Sequence, residues 1–346
     1  MLKQGWLQLA EARIRNILTV RRYASQRQLE KKISEQGPAH KRPHPTHVFT
    51  GLKNLLRDGI VQSETVGGNL PKFFMPSNFG DDSDLRRRDF VLDLYLKFQA
   101  FAGSQMLCGK ALEKIVDRAA NLGQKHYVLG PIPAGQSVNG ILVEHETDHL
   151  LIPKGYDGPH VLVEDKNMRE WLNPSSEQVW SVIGNALRFP NTIPVIVCRK
   201  MNFLAYRVFK EIGLLCWQVY DQYFDPSIEN ELLPIRHKDG LGFSDVTTEL
   251  EPPEALVRFF SSVIPENSAA SAVQFENHRE LLKHYALDSR LDGSKNTEGK
   301  ELNQAKRTAI YNKFLIDLRA QKTLTEESLG EEDLEEQEGS TEQDEY

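Results

Sequence analysis

Glu146-Thr-Asp-His-Leu-Leu-Ile152 and Val161-Leu-Val-Glu-Asp-Lys-Asn167, joined by a turn through Pro153, Lys154 and Gly155, carry the most chemistry in the chain. Both runs are short, apolar and bounded by turn residues, so they are expected to form neighbouring strands. Side chains alternate between the faces of a strand. Glu146 and Asp148 therefore share one face of the first run, and Glu164 and Lys166 share one face of the second. Three carboxylates and an ammonium are thereby expected at the ends of two adjacent strands. Carboxylates packed this way repel and raise one another's pKa unless a cation sits among them, and an all-oxygen set suits Mg²⁺ or Mn²⁺. A lysine beside such an ion stabilises charge developing on a phosphate or orients an attacking water.

Working outward, His126–Ile132 and 139–143 are apolar enough for strands. Pro174-Ser175-Ser176 opens a helix through Leu187 that turns Val179, Val182, Ile183 and Ala186 inward. Residues 193–198 read as a buried strand, 203–212 as a helix and 214–219 as another strand. This order predicts an α/β fold with a mixed central sheet flanked by helices.

Asp148, fifteen residues, then Glu164-x-Lys166, with apolar strands leading into both halves, resembles the signature of the restriction-endonuclease-like (PD-D/ExK) nuclease superfamily. The wording of both runs is most similar to its Mrr-type and nuclease-related-domain branches, over roughly residues 105–225. The resemblance implies that Asp148 and Glu164 ligate the metal, that the backbone carbonyl of Asp165 completes the shell, and that Lys166 is the catalytic lysine. Glu146 is a further candidate ligand. Glu113 matches the acidic position on the helix before the first core strand, and reads equally as a surface residue paired with Lys110 or Lys114. Gln178 matches a glutamine that steadies water or metal in some branches, and reads equally as an exposed helix residue. His149 is expected to face the opposite side of the sheet, as a packed histidine rather than a base.

The net charge of −7 hides a segregation of charge. Residues 325–346 hold eleven Asp/Glu and no Lys/Arg, so the rest of the chain sums to −7 + 11 = +4. Residues 1–75 hold thirteen Lys/Arg against five Asp/Glu. A basic front end is the electrostatic footprint of nucleic-acid binding. Within it, Trp6–Val20 repeats apolar residues at helical spacing. Ser25 with Gln28 predicts a capping box opening a second helix, and a third begins near Pro45. A hairpin is expected from Ile60–Val66, a Gly67-Gly68-Asn69 turn and Pro71–Met75.

Three basic helices followed by a hairpin resemble a winged helix-turn-helix domain, which implies binding of double-stranded DNA through the third helix. On that resemblance His47, Thr50, Lys53, Asn54 and Arg57 face DNA, helped by Lys72 on the wing. The connection Gln36–His44 is longer than the usual tight turn, and brings Lys41 and Arg42 as extra basic contacts or as a loop.

The expected divisions are 1–76, the winged helix; 77–104, a linker and connecting helix; 105–225, the nuclease core; 226–324, a mostly helical extension; and 325–346, an acidic disordered tail. The connecting helix, near Leu85–Phe101, repeats Phe90, Leu92, Leu94, Tyr95, Phe98 and Phe101 and is expected to pack the two domains together. In the extension, Ile310, Phe314 and Leu318 share a helix face that Arg307, Lys313 and Arg319 make basic. That face suits covering the core, contacting DNA or binding a protein partner.

No run of about 18 apolar residues predicts a membrane span. The N-terminus lacks the apolar core of a signal peptide. The three cysteines are too scattered for zinc and fit a reducing, cytoplasmic setting. Neither a Gly-x-Ser-x-Gly elbow nor a phosphate-cradling glycine loop occurs.

The function expected from this resemblance is a metal-dependent DNA endonuclease in prokaryotic defence or mobile-element processing. A homodimer or a second event would be needed for a double-strand break. A catalytically inactive DNA-binding regulator and a structure-specific nuclease for branched DNA or RNA are the alternatives.

Overall fold

The computed structural model describes residues 4–38, 41–67, 70–138, 140–289, 291–293 and 302–329. The Gly68-Asn69 part of the hairpin turn lies outside the described residues; of the tail expected to be disordered over 325–346, residues 325–329 are instead the last turn of a helix, and 330 onward lies outside the described residues. In chain order the elements are α1 (Gln4–Arg21), β1 (Ala24–Ser25), α2 (Gln26–Glu30), α3 (Pro45–Arg57), β2 (Val61–Glu64), β3 (Phe73–Pro76), α4 (Asp82–Ala102) and α5 (Lys110–Gly123). Then come β4 (His126–Leu129), β5 (Ser137–Val138), β6 (Ile141–Leu142), β7 (His149–Pro153), β8 (His160–Lys166), α6 (Glu177–Arg188), β9 (Thr192–Cys198), α7 (Phe203–Glu211) and β10 (Leu215–Gln218). The chain finishes with β11 (Gln222–Tyr223), α8 (Glu229–Arg236), β12 (Val246–Thr247), α9 (Glu254–Arg258), α10 (Ile264–Asn277), α11 (Arg279–Lys283) and α12 (Gln304–Leu329). No described helix is long and apolar enough to cross a membrane.

Contacts divide the chain into two units, each discontinuous in sequence. The first comprises 1–118, 166–171 and 219–252, and the second 119–165, 172–218 and 253–346.

In the first unit, local chemistry sets the helix starts. Ser25 accepts from the Gln28 backbone while the Gln28 side chain returns to the Ser25 N–H, so both ends of the capping box close. Helix α2 then widens into a π turn, Lys31–Glu35. The His44 ring caps α3, whose first position is Pro45. Ile14 and Leu18 of α1 meet Val48, Leu52 and Leu55 of α3 over an antiparallel sheet ordered β1-β3-β2. Asp81 caps α4 by accepting from Asp84 N at 2.8 Å.

Helix α4 lies wholly in this unit and buries Val91, Leu92, Leu94, Tyr95 and Phe98 against Phe224, Leu232 and Phe243. Phe90 departs from the expected stripe. It is 46% exposed, because the buried arc of the helix is centred on Tyr95 and excludes it.

Residues 167–171 are tied into the same unit by a polar network. Asn167 Nδ2 donates to Cys108 O (2.7 Å) and Tyr223 O (2.6 Å), and its Oδ1 accepts from Tyr223 N (2.9 Å). Arg169 reaches Asp245 at 2.8 Å, and Lys31 reaches Asp245 at 3.0 Å and Glu35 at 3.2 Å. Trp171 Nε1 donates to Glu35 at 2.8 Å. Buried charges persist where each has an opposite partner and hydrogen bonds.

The second unit is built on a mixed five-stranded sheet, β10-β9-β8-β7-β4. Strands β4, β7 and β8 run antiparallel, whereas β9 and β10 are parallel. Every residue of β9 is buried, as a strand covered on both faces requires. Helix α6 buries Val179, Val182, Ile183 and Ala186, and Trp180 meets Phe314 of α12 edge-on at 5.1 Å. The apolar face of α12 therefore covers the sheet's own helix layer. Arg307 is not part of a basic outer face as the sequence suggested. It is 4% exposed and donates to Leu291 O at 2.6 Å, to Gly293 O and to Glu177.

Candidate functional site

The β7–β8 ladder pairs His149 with Val163, Leu150 with Leu162 and Leu151 with Val161. One step beyond it, Asp148 Oδ2 accepts the backbone N–H of Asp165 at 2.6 Å. The Asp148 carboxylate is thereby brought against the Glu164–Asp165 peptide, where a ligand pair would have to sit. Asp148 is half-buried and Glu164 is 7% exposed. Lys166, also half-buried, closes β8 two residues after Glu164, on the same side of the pleat.

The odd-numbered neighbours face the other way. His149 Nε2 and Asp165 Oδ2 lie 2.8 Å apart, with side chains 3% and 0% exposed. Asp165 Oδ1 has no hydrogen-bond partner. The carboxylate of Asp165 is thus committed to a buried pair with His149. Only its backbone carbonyl is left for the role that the resemblance implies.

Glu146 precedes β7 and is exposed. The segment that carries it is held from both sides. Thr147 bridges to Ile132, and Asn185 of α6 donates to His145 O at 2.7 Å and Thr147 Oγ1 at 2.9 Å while accepting from His145 N at 3.4 Å. Asn185 fixes the approach to Asp148. Its sequence signal was a polar residue inside the apolar arc of Val182, Ile183 and Ala186. Gln178, at the second position of α6, is exposed. Glu113 is half-buried in the first turn of α5 and belongs to the first unit.

A second acidic group stands nearby in sequence. Glu144, His145 and Asp292 bring one ligand atom each to within 4.8 Å of one another. Arg188 already joins this set, at 2.6 Å from Glu144 and 3.2 Å from Asp292, and His145 Nε2 lies 3.2 Å from Asp292. A guanidinium that supplies the positive charge makes this an ion-pair network. Asp148 and Glu164, by contrast, present oxygen donors from adjoining extended segments, a donor set that fits a hard divalent ion.

In the first unit, the proposed DNA-facing residues of α3 divide by environment. Lys53 is exposed and lies over the Phe49 ring at 4.3 Å. Arg57, 73% exposed, pairs with Asp58 at 3.0 Å. Thr50 donates to Thr46 O, and Asn54 donates to Glu11 of α1 at 2.7 Å, so both side chains carry contacts internal to the unit. His47 is half-buried beside His44. Lys72 and Lys41 are exposed, and Arg42 donates to Gly37 O at 2.6 Å.

Comparisons with protein-family models, curated proteins and solved structures return no match.

Proposed function

We propose that the protein is a metal-dependent endonuclease, in which the second unit carries the carboxylates and the three-helix, three-strand part of the first unit binds duplex DNA as a winged helix. The observation that carries this reading is the Asp148 carboxylate lying 2.6 Å from the Asp165 amide, one step beyond the β7–β8 ladder. The order α5, β4, β7, β8, α6, β9 around a mixed sheet is also the order expected of a restriction-endonuclease-like core.

Asp148 and Glu164 would hold Mg²⁺ or Mn²⁺ with the Asp165 carbonyl; among the described residues Glu146 and Glu113 do not group with them as ligands. When bound, the ion lowers the pKa of water and offsets charge on a scissile phosphate. Lys166 places an ammonium on the same side of β8 as Glu164, where it favours negative charge on a phosphate oxygen. The His149–Asp165 pair and Asn185 hold the segments that present these groups. Lys53 and Arg57 supply phosphate contacts on α3, and Lys72 supplies one on the hairpin.

Nicking of supercoiled plasmid with Mg²⁺, Mn²⁺ or chelator tests the proposal. Cleavage is expected with either ion, and none with chelator or with Glu164→Ala or Lys166→Ala, while duplex binding persists. Undiminished cutting by Glu164→Ala would place the chemistry elsewhere.

A DNA-binding scaffold is the second reading. The Asp165 N–H bond favours it by giving Asp148 a structural task. Calorimetry with Mn²⁺ separates the two, because a scaffold shows no heat that depends on Asp148 and Glu164.

A further inference from the structure

The first unit carries a row of cations that the proposed chemistry does not use. Arg13 of α1 and Lys32 of the π turn line a cleft of about 250 Å³. Arg21, at the end of α1, donates to Lys238 O, and Arg87 of α4 donates to Asp239 O at 2.6 Å, so both guanidiniums converge on one loop. Arg87 also lies 5.5 Å from the centre of the exposed Phe90 ring. Together with Leu233 and Pro234 these two line a second cleft, about 430 Å³, with mainly apolar walls.

The charges crowd one another. Burial and Arg87 lower the pKa of Arg21; burial, Arg21 and Lys238 lower that of Lys32. Asp239 is the carboxylate that offsets them. Like charges held this close favour a polyanion that spans them, since each neutralised phosphate also releases counterions.

We propose that this row binds a single strand of nucleic acid, with phosphates along Arg13, Lys32, Lys238 and Arg87 and one base in the cleft over Phe90. A cationic track beside an exposed aromatic ring is the general arrangement for unpaired strands, because every base has a π face to stack. A duplex keeps its bases stacked inside and cannot fill an apolar cleft of this size. An acidic peptide would satisfy the cations but offers no flat face to the Phe90 ring and the guanidinium above it. None of these residues belongs to α3, and the proposal does not depend on cleavage.

Fluorescence anisotropy in chelator, with the full chain and a labelled oligothymidylate, tests it. Lys32→Glu/Lys238→Glu is expected to weaken binding at least about tenfold at moderate salt and to lower the salt slope by about 1.4, the value for two phosphate contacts on a single strand. Phe90→Ala is expected to weaken it about 5- to 150-fold, the range for losing one stacked base. Both changes lie on exposed side chains, and a circular-dichroism melt checks the fold. Should the charge reversal melt early, Lys32→Gln/Lys238→Gln replaces it, with the same slope change expected.

Oligonucleotide affinity unmoved by either change overturns the proposal. So does a polyglutamate peptide that competes fully for a site indifferent to Phe90→Ala, which would make the row an acidic-peptide site. A duplex that binds as tightly as the single strand, with equal dependence on Phe90, overturns it as well.

Discussion

His149 and Asp165 face each other across the β7–β8 pair with Nε2 2.8 Å from Oδ2, on the side of the sheet opposite Asp148 and Glu164. A buried carboxylate left without its partner is strongly disfavoured, whereas replacing both members by apolar groups of similar size is often tolerated. His149→Leu should therefore destabilise the protein by about 3 kcal/mol or more, and His149→Leu/Asp165→Leu should recover most of that loss. Denaturant melts of the two variants decide the matter. Equal midpoints would mean that the pair holds nothing in place.

If the nuclease proposal holds, metal binding should register as stability. A ligand that binds only the folded state adds about 2.7 kcal/mol at a hundredfold excess over Kd. Mn²⁺ is expected to raise the melting temperature of the unaltered chain and to leave Glu164→Gln and Asp148→Asn unmoved. An identical rise in all three would assign the ion to some other place.

Asn185→Leu removes three hydrogen bonds to the 145–147 segment at a site that is 1% exposed. The expected loss is about 2 kcal/mol, since His145 and Thr147 are left with buried polar atoms unmatched. If the nuclease proposal holds, plasmid nicking should fall with it even at temperatures where the variant is fully folded. A stable variant that cuts normally would reduce Asn185 to a packing residue.

Two groups among those that confer acid sensitivity can be tested one at a time. Burial depresses the His126 pKa to about 4, with the ring bonded to Tyr156 at 2.8 Å. The unfolded chain then binds more protons than the folded one between roughly pH 6.5 and 4, so stability falls as pH drops through that window. Asp84 is held at about 2 by its hydrogen bonds to Arg22, and its contribution, present above the ordinary carboxylate range, is lost as pH falls toward 2. Melts of His126→Asn should be flatter between pH 6.5 and 4, and those of Asp84→Asn flatter below 4. A His126→Asn curve as steep as that of the unaltered protein would assign the slope to other groups.

Much of the coarse fold was legible because local signals agreed with tertiary packing. The Ser25–Gln28 capping box, the apolar arc of α6 and the run that became β9 each pointed to one answer, and each is realised. Periodicity failed at Phe90 and Arg307. On α4 it could not tell which arc of a long, nearly continuous apolar pattern would be covered. On α12 it could not foresee that a guanidinium would be drawn inward by carbonyls of residues 291 and 293.

The candidate site shows the same limit. Alternation placed His149 on the far side of the strand from Asp148, but the identity of its partner depended on a ladder register that no single strand encodes. Asn185 was visible only as a polar residue in an apolar arc, without any hint of the carbonyl it serves.

The five residues after β8 have a practical consequence for anyone dividing this chain. Arg169 lies between β8 and β9 and Asp245 lies beyond β10, yet they neutralise Lys31 and Glu35 just behind α2. A segment excised at residue 76 would keep its capped helices and its hairpin but lose Asp245, leaving Lys31 with Glu35 alone, and would uncover Tyr23, Phe73 and Met75, which share one apolar core with Tyr95, Phe224 and Phe243. The amino-terminal module is therefore finished only once residue 245 has been made, and its folding during synthesis must wait for residues that emerge long after its own helices.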